Sequence, residues 1–182
     1  MGFKEILKVL FFLFCNSVSY GNNNVTVFLD WNYLYTISVY QDSSAKEKIS
    51  MIKSQYIEYD QDEVIMIDIL DVIDSMYYVE IYGGSTNSNY GKGWIKKEEP
   101  LYMMAKVYTP YDTIQIYNEP NKENYIAFLL DSNNIPLDGM IKIIDINTDK
   151  RWFKISFFYY DKNIIGWIPS YNLCGNPYTT CG

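Results

Sequence analysis

The chain contains no histidine. Ser-His-Asp and Cys-His nucleophilic constellations need an imidazole as base, so both are excluded, together with zinc sites built on imidazole. A phosphate cradle is missing as well. The one glycine-rich stretch, "YGGSTNSNYGKG" at 82–93, lacks the G-K-[ST] ending and is followed by no helical pattern. No D-x-D-x-D-G calcium loop occurs. Cations are scarce: 15 Lys and Arg stand against 22 Asp and Glu, a formal net charge of -7. Such a surface repels phosphate backbones and anionic lipid leaflets, so neither nucleic acid nor a membrane surface is an expected partner. No cofactor or metal is expected either.

Carboxylates remain as possible chemistry. Glu58, Asp60, Asp62 and Glu63 crowd into "EYDQDE", and a glycosidase needs only two such groups. Asp68, Asp71 and Asp74 follow closely and extend the cluster towards a calcium site. A polar run of like charges reads more simply as a solvated loop. The expectation is a protein that is not an enzyme.

Long apolar runs are absent too. The longest near the start, "VLFFLF" at 9–14, follows Lys4 and Lys8 and precedes Ser17 and Ser19. It is too short for a bilayer, which takes about 20 apolar residues. Residues 1–21 therefore read as a signal peptide, with cleavage near Ser19 or Gly21, and the mature chain as secreted or periplasmic with no transmembrane segment. Cys15 raises a lipoprotein alternative, disfavoured because the bulky Phe14 precedes it. Cleavage leaves only Cys174 and Cys181, an even count that predicts a bridge in an exported protein. Gly-Asn-Pro between them supplies a turn. A loop this short contributes roughly 2.5 kcal/mol at most. The spacing is not C-x-x-C, so a redox role is not expected.

What is abundant is apolar and aromatic. Hydrophobic residues make 48% of the chain and 19 of its residues are tyrosine, a composition that favours extended structure and a packed core. The sequence also repeats itself. "TISVYQD" at 36–42 matches "TIQIYNE" at 113–119; "IDILDVIDSMYYVEI" from Ile67 matches "IKIIDINTDKRWFKI" from Ile141; and "GWI" recurs at Gly93 and Gly166. Within each copy apolar side chains alternate as in strands: Val79 and Ile81 with Ile95, then Phe153 and Ile155 with Ile168. Each alternating segment leads through a loop into the GWI strand, which predicts a β-hairpin per copy. The stretches "SSAKEKISMIKSQYIEYDQDE" and "PNKENYIAFLLDSNNIPLDG" read as long irregular loops. Roughly 75 residues per copy makes two small all-β units that could pack together.

These segments resemble the bacterial SH3 family of small five-stranded barrels. "IQIYNEP" is similar to the family's first strand entering its long loop, "RWFKIS" to the strand opening the central hairpin, and "GWIPSYNL" to its closing segment. The resemblance implies two tandem SH3-like barrels, residues 22–98 and 99–182, the second ending in the disulfide tail. It further implies a ligand surface in the second copy made by Tyr117, Trp152, Pro169 and Tyr171. The first copy departs from the pattern: it keeps Tyr40 and Tyr78, but "GWIKKEEP" has Lys96 in place of the proline and no following tyrosine. Trp94 and Trp167, present in both copies, read as packing residues. The function implied is a non-catalytic binding module that recognises cell-wall peptide, glycan or an envelope protein through an aromatic groove. A periplasmic inhibitor or immunity-type protein that blocks an enzyme with an acidic surface is the alternative.

Overall fold

A computed structural model describes residues 25–29, 36–53, 64–85, 88–107, 109, 111–120, 126–133, 135–136 and 139–177. The expected signal peptide, Cys15, the 58–63 acidic cluster and Cys181 lie outside these residues. The described chain is all-β. Its strands are β1 (Val25–Leu29), β2 (Thr36–Tyr40), β3 (Lys48–Lys53), β4 (Ile65–Val72), β5 (Met76–Gly83), β6 (Asn89–Lys96), β7 (Leu101–Ala105), β8 (Thr113–Tyr117), β9 (Ile126–Asp131), β10 (Met140–Ile146), β11 (Trp152–Tyr159), β12 (Lys162–Pro169) and β13 (Leu173–Cys174). A 3-10 turn, Ser170–Asn172, separates the last two.

All strands join one antiparallel sheet that does not close, in the order β3-β2-β6-β5-β4-β1-β7-β10-β11-β12-β8-β9, with β13 on β7. Read from either end the order is the same in equivalent strands. β4, β5 and β6 form a meander, as do β10, β11 and β12, and the hairpins β2–β3 and β8–β9 hang on β6 and β12. The two copies meet at the centre. There Leu29 pairs with Leu101 and Phe28 with Tyr102, while β10 covers the other edge of β7. The boundary expected at 98/99 thus falls just ahead of a central strand. β7 closes the first copy and opens the second.

Alternation places the core as the sequence pattern requires. Val79, Ile81, Ile95, Phe153, Ile155 and Ile168 are all buried. They do not form two cores: strands of both copies contribute to a single apolar cluster, which also holds Leu101, Met103 and Ala105 of β7. Two polar ties cross the same seam. Lys97 forms a 2.7 Å ion pair with Asp145, and Lys150 donates to the carbonyls of Ile69, at 3.1 Å, and Leu70. Both Asp145 and Leu70 sit at matching irregularities in β10 and β4, where the ladder skips a residue.

Register corrects the internal alignment. Val79 lies opposite Gly93, whereas Ile155 lies opposite Gly166, so the counterpart of Val79 is Ile155 and not Phe153. The turn at 147–151 is two residues longer than its equivalent at 73–75, which shifts β11 without changing its buried face. By the same pairing Trp152 corresponds to Met76, since Trp152 faces Pro169 and Met76 faces Lys96. A second difference concerns the stretches expected to be loops, which contain β3 and β9. A bulge in each hairpin skips one residue of the outer strand, Ile49 in β3 opposite the Val39–Tyr40 step and Ala127 in β9 opposite the Ile116–Tyr117 step, and this hides the period-2 signal.

Tyr77 reaches the seam from β5. Burial pushes its hydroxyl well above the ordinary tyrosine range, with the Asp145 carboxylate adding to the effect; the Ile146 backbone lies near and acts in the opposite sense, but the hydroxyl completes no well-formed hydrogen bond among the described residues. Removing an unsatisfied buried polar atom while keeping the ring relieves a desolvation cost. Tyr77→Phe is therefore expected to stabilise the fold by about 1 kcal/mol, measured as a higher urea midpoint at unchanged m-value.

Candidate functional site: an aromatic surface and an adjoining cleft

The repeated glycines explain how the hairpin arms attach. β8 touches β12 through one pair, Trp167 with Tyr117, and β2 touches β6 through the equivalent pair, Trp94 with Tyr40. At Gly166 a Cβ would overlap Ile116 Cγ2 and stand 2.9 Å from the Tyr117 carbonyl oxygen; at Gly93 it would overlap Val39 Cγ1 and stand 3.0 Å from the Tyr40 oxygen. Only a residue without a side chain permits this approach. The Gly of each GWI triplet is thus a crossing point, and each Trp is paired with the tyrosine that ends the neighbouring arm.

The tyrosine at the second crossing begins the aromatic surface. Tyr117 is 8% exposed and meets Trp152 edge-on, with ring centroids 5.5 Å apart and planes at 87°. Its hydroxyl donates to Gln115 at 2.6 Å. Trp152 is half-buried, and Pro169, directly opposite it on β12, is buried. The turn before β11 sets the tryptophan's position. The Asn147 side-chain oxygen accepts from the N–H groups of Arg151 and Trp152 at 3.0 and 2.9 Å, and Lys150 takes a left-handed conformation with φ 56°. Tyr117, Trp152 and Pro169 therefore come together, with Tyr117 as a floor rather than a wall.

Tyr171 is placed differently. It projects from the 3-10 turn, is 59% exposed, and lines a cleft of about 570 Å³ at the seam between the copies. Val25 and Thr26 of β1, Met103 of β7, and Phe153 and Leu173 of the second copy also line it. Lys106, Lys150 and Arg151 supply its charge. Sequence reasoning missed this cleft and its cations. Lys150 and Arg151 are neighbours in sequence, but Lys106 is far from them, and it reaches the cleft only because β13 pairs with β7 and the Lys106 N–H donates to the Asn172 carbonyl.

The first copy offers no equivalent aromatic pair at this position. Met76 and Lys96 stand where Trp152 and Pro169 stand, and Tyr78 instead stacks on Trp94 at 5.2 Å, tilted by 42°. Asp68, considered for calcium, accepts from the Thr26 hydroxyl at 2.6 Å and the Tyr82 hydroxyl at 3.2 Å. Burial and that carboxylate raise Tyr82 above the usual range. Among the described residues no group of three or more Asp, Glu, Cys or His could hold a metal ion, and no helix is long and apolar enough to cross a membrane. Cys174 is disulfide-bonded and buried; its expected partner Cys181 is not among the described residues. No protein-family model matches the chain, and neither a curated protein nor a solved structure matches it.

Proposed function

We propose that the protein is a non-catalytic, exported binding module whose second copy recognises an extended ligand, a cell-wall peptide or a segment of an envelope protein. In this reading each copy is an SH3-like half, and the two halves share β7. The pairing scheme repeated in the two copies supports the duplication that this reading needs. The observation that carries the reading is the half-exposed Trp152, braced edge-on by Tyr117 and set opposite Pro169. Rigid aromatic faces next to a proline suit an extended backbone, which stacks on them at little entropic cost.

Capture of purified sacculi and of an envelope protein extract by the mature chain tests the proposal. Because Tyr171 is 59% exposed, Tyr171→Ala is expected to leave the thermal transition within about 1 kcal/mol of the parent. Loss of an aromatic anchor commonly costs about 2 kcal/mol, so the captured ligand should bind at least tenfold more weakly. Neither fraction being captured, or Tyr171→Ala and Trp152→Ala both binding as the parent does, would sink the assignment. Association that slows steeply with salt would favour the inhibitor reading, since an aromatic surface depends little on ionic strength.

A further inference from the structure

We propose that the cleft at the seam takes the free carboxylate end of a peptide, with Arg151 and Lys106 as its anion-binding groups. The inference rests on the peptide-binding reading above and names the part of the ligand that reaches the cleft. The first support is charge. The chain carries a net charge of -7, yet among the described residues three cations and no carboxylate line this cavity. Lys150 is committed to the carbonyls of Ile69 and Leu70. Arg151 and Lys106 have no ion-pair partner among the described residues, which hold only the Lys92–Glu80 and Lys97–Asp145 pairs. Asp149 stands two residues before Arg151, and one of its oxygens accepts the Arg151 backbone N–H at 3.0 Å. It does not line the cleft.

Shape is the second support. A volume of about 570 Å³ falls in the range of small-ligand sites, roughly 300–1,000 Å³. Met103, Phe153 and Leu173 are buried beneath it and give an apolar floor. A planar guanidinium above such a floor matches a carboxylate with two parallel hydrogen bonds, which an isolated ammonium cannot offer. Continuity is the third support. Arg151 precedes Trp152, and Ser170 follows Pro169, so the cleft begins where the aromatic surface ends; the Ser170 N–H bonds the Arg151 carbonyl at 2.8 Å and ties the two borders together. A chain lying on Trp152 would enter the cleft with its terminus.

The test uses the whole protein and three probes: N-acetyl-trialanine as the free acid, the same peptide as its C-terminal amide, and inorganic phosphate. In an NMR titration the free acid is expected to shift backbone amides at 150–153 and 170–173, and to bind at least tenfold more tightly than the amide. Arg151→Gln, at an exposed position, should erase that difference while the thermal transition stays in place. Equal binding of acid and amide, no binding of either, or a preference that survives Arg151→Gln would overturn the proposal. Phosphate binding as tightly as the free acid would also overturn it, by showing a general anion site. The two readings fail separately. Capture of sacculi or an envelope protein that requires Trp152 and ignores Arg151 removes the carboxylate site and leaves the aromatic one; an acid preference that persists in Trp152→Ala removes the aromatic surface from the binding path and leaves the cleft.

Discussion

Gly166→Ala is expected to destabilise the protein by about 3 kcal/mol and, at 2–4 °C per kcal/mol for a chain of this size, to lower the melting temperature by roughly 6–12 °C. The added methyl would overlap Ile116 Cγ2 and sit 2.9 Å from the Tyr117 carbonyl oxygen. Neither neighbour yields easily. Ile116 is fully buried and β-branched, so its rotamer is set by the core, and the carbonyl belongs to the backbone at the single β8–β12 pair. The relaxation open to the fold is to lift the β8–β9 arm, which tilts Tyr117 away from Trp152. Gly93→Ala should behave alike, through Val39 and Tyr40. Ile165→Ala, a neighbouring site that is 49% exposed, should change stability by less than about 1 kcal/mol. Thermal unfolding of the three variants checks the argument; a Gly166→Ala protein as stable as the parent would show that the crossing is looser than described.

Gly175→Ala should have the second large effect, and a different one. A Cβ there would overlap the backbone of Thr26 in β1, a clash no side-chain rotation relieves. The tail therefore has to leave β1, and β13 leaves β7 with it, breaking the Leu173–Ala105 and Cys174–Met104 pairs and exposing Leu173, now 4% accessible. Exposing one leucine costs about 2 kcal/mol. The measurement that separates this from general destabilisation is hydrogen exchange at Lys106, whose N–H donates to the Asn172 carbonyl at 2.9 Å. Its protection should fall by at least about tenfold, the equivalent of 1.4 kcal/mol, while that of β5 and β6 falls less. Uniform loss across the sheet would contradict a local unlatching. Because β13 borders the cleft, the same variant should also lose the preference for a free carboxylate.

The strand character, the duplication and the buried face of each repeat were legible in the amino-acid order, because alternation is local and has a period of two. That period forgives error. A gapless alignment misplaced β11 by two residues and still put Phe153 and Ile155 inside, whereas it paired Trp152 with Tyr78 when its true counterpart is Met76. β3 and β9 escaped notice because a bulge in each hairpin spoils the alternation, and each lies at an end of the sheet with few long-range partners. Gly93 and Gly166 stood out as repeats, but the sequence held no reason for them; the reason is a neighbouring strand that passes too close for a Cβ.

By itself, then, the sequence determined an all-β chain, made of two related halves, with aromatic side chains left over once the core was filled. It determined too that no imidazole is at hand for catalysis. Tertiary structure decided that β7 serves both halves, that one core runs through both, that Tyr117 lies beneath Trp152, and that Lys106, Lys150 and Arg151 converge on one cleft. The physical reason is range. Side-chain alternation and turn chemistry act between residues a few positions apart, while strand order, close backbone approach and the gathering of like charges depend on contacts between distant segments, which no local pattern records.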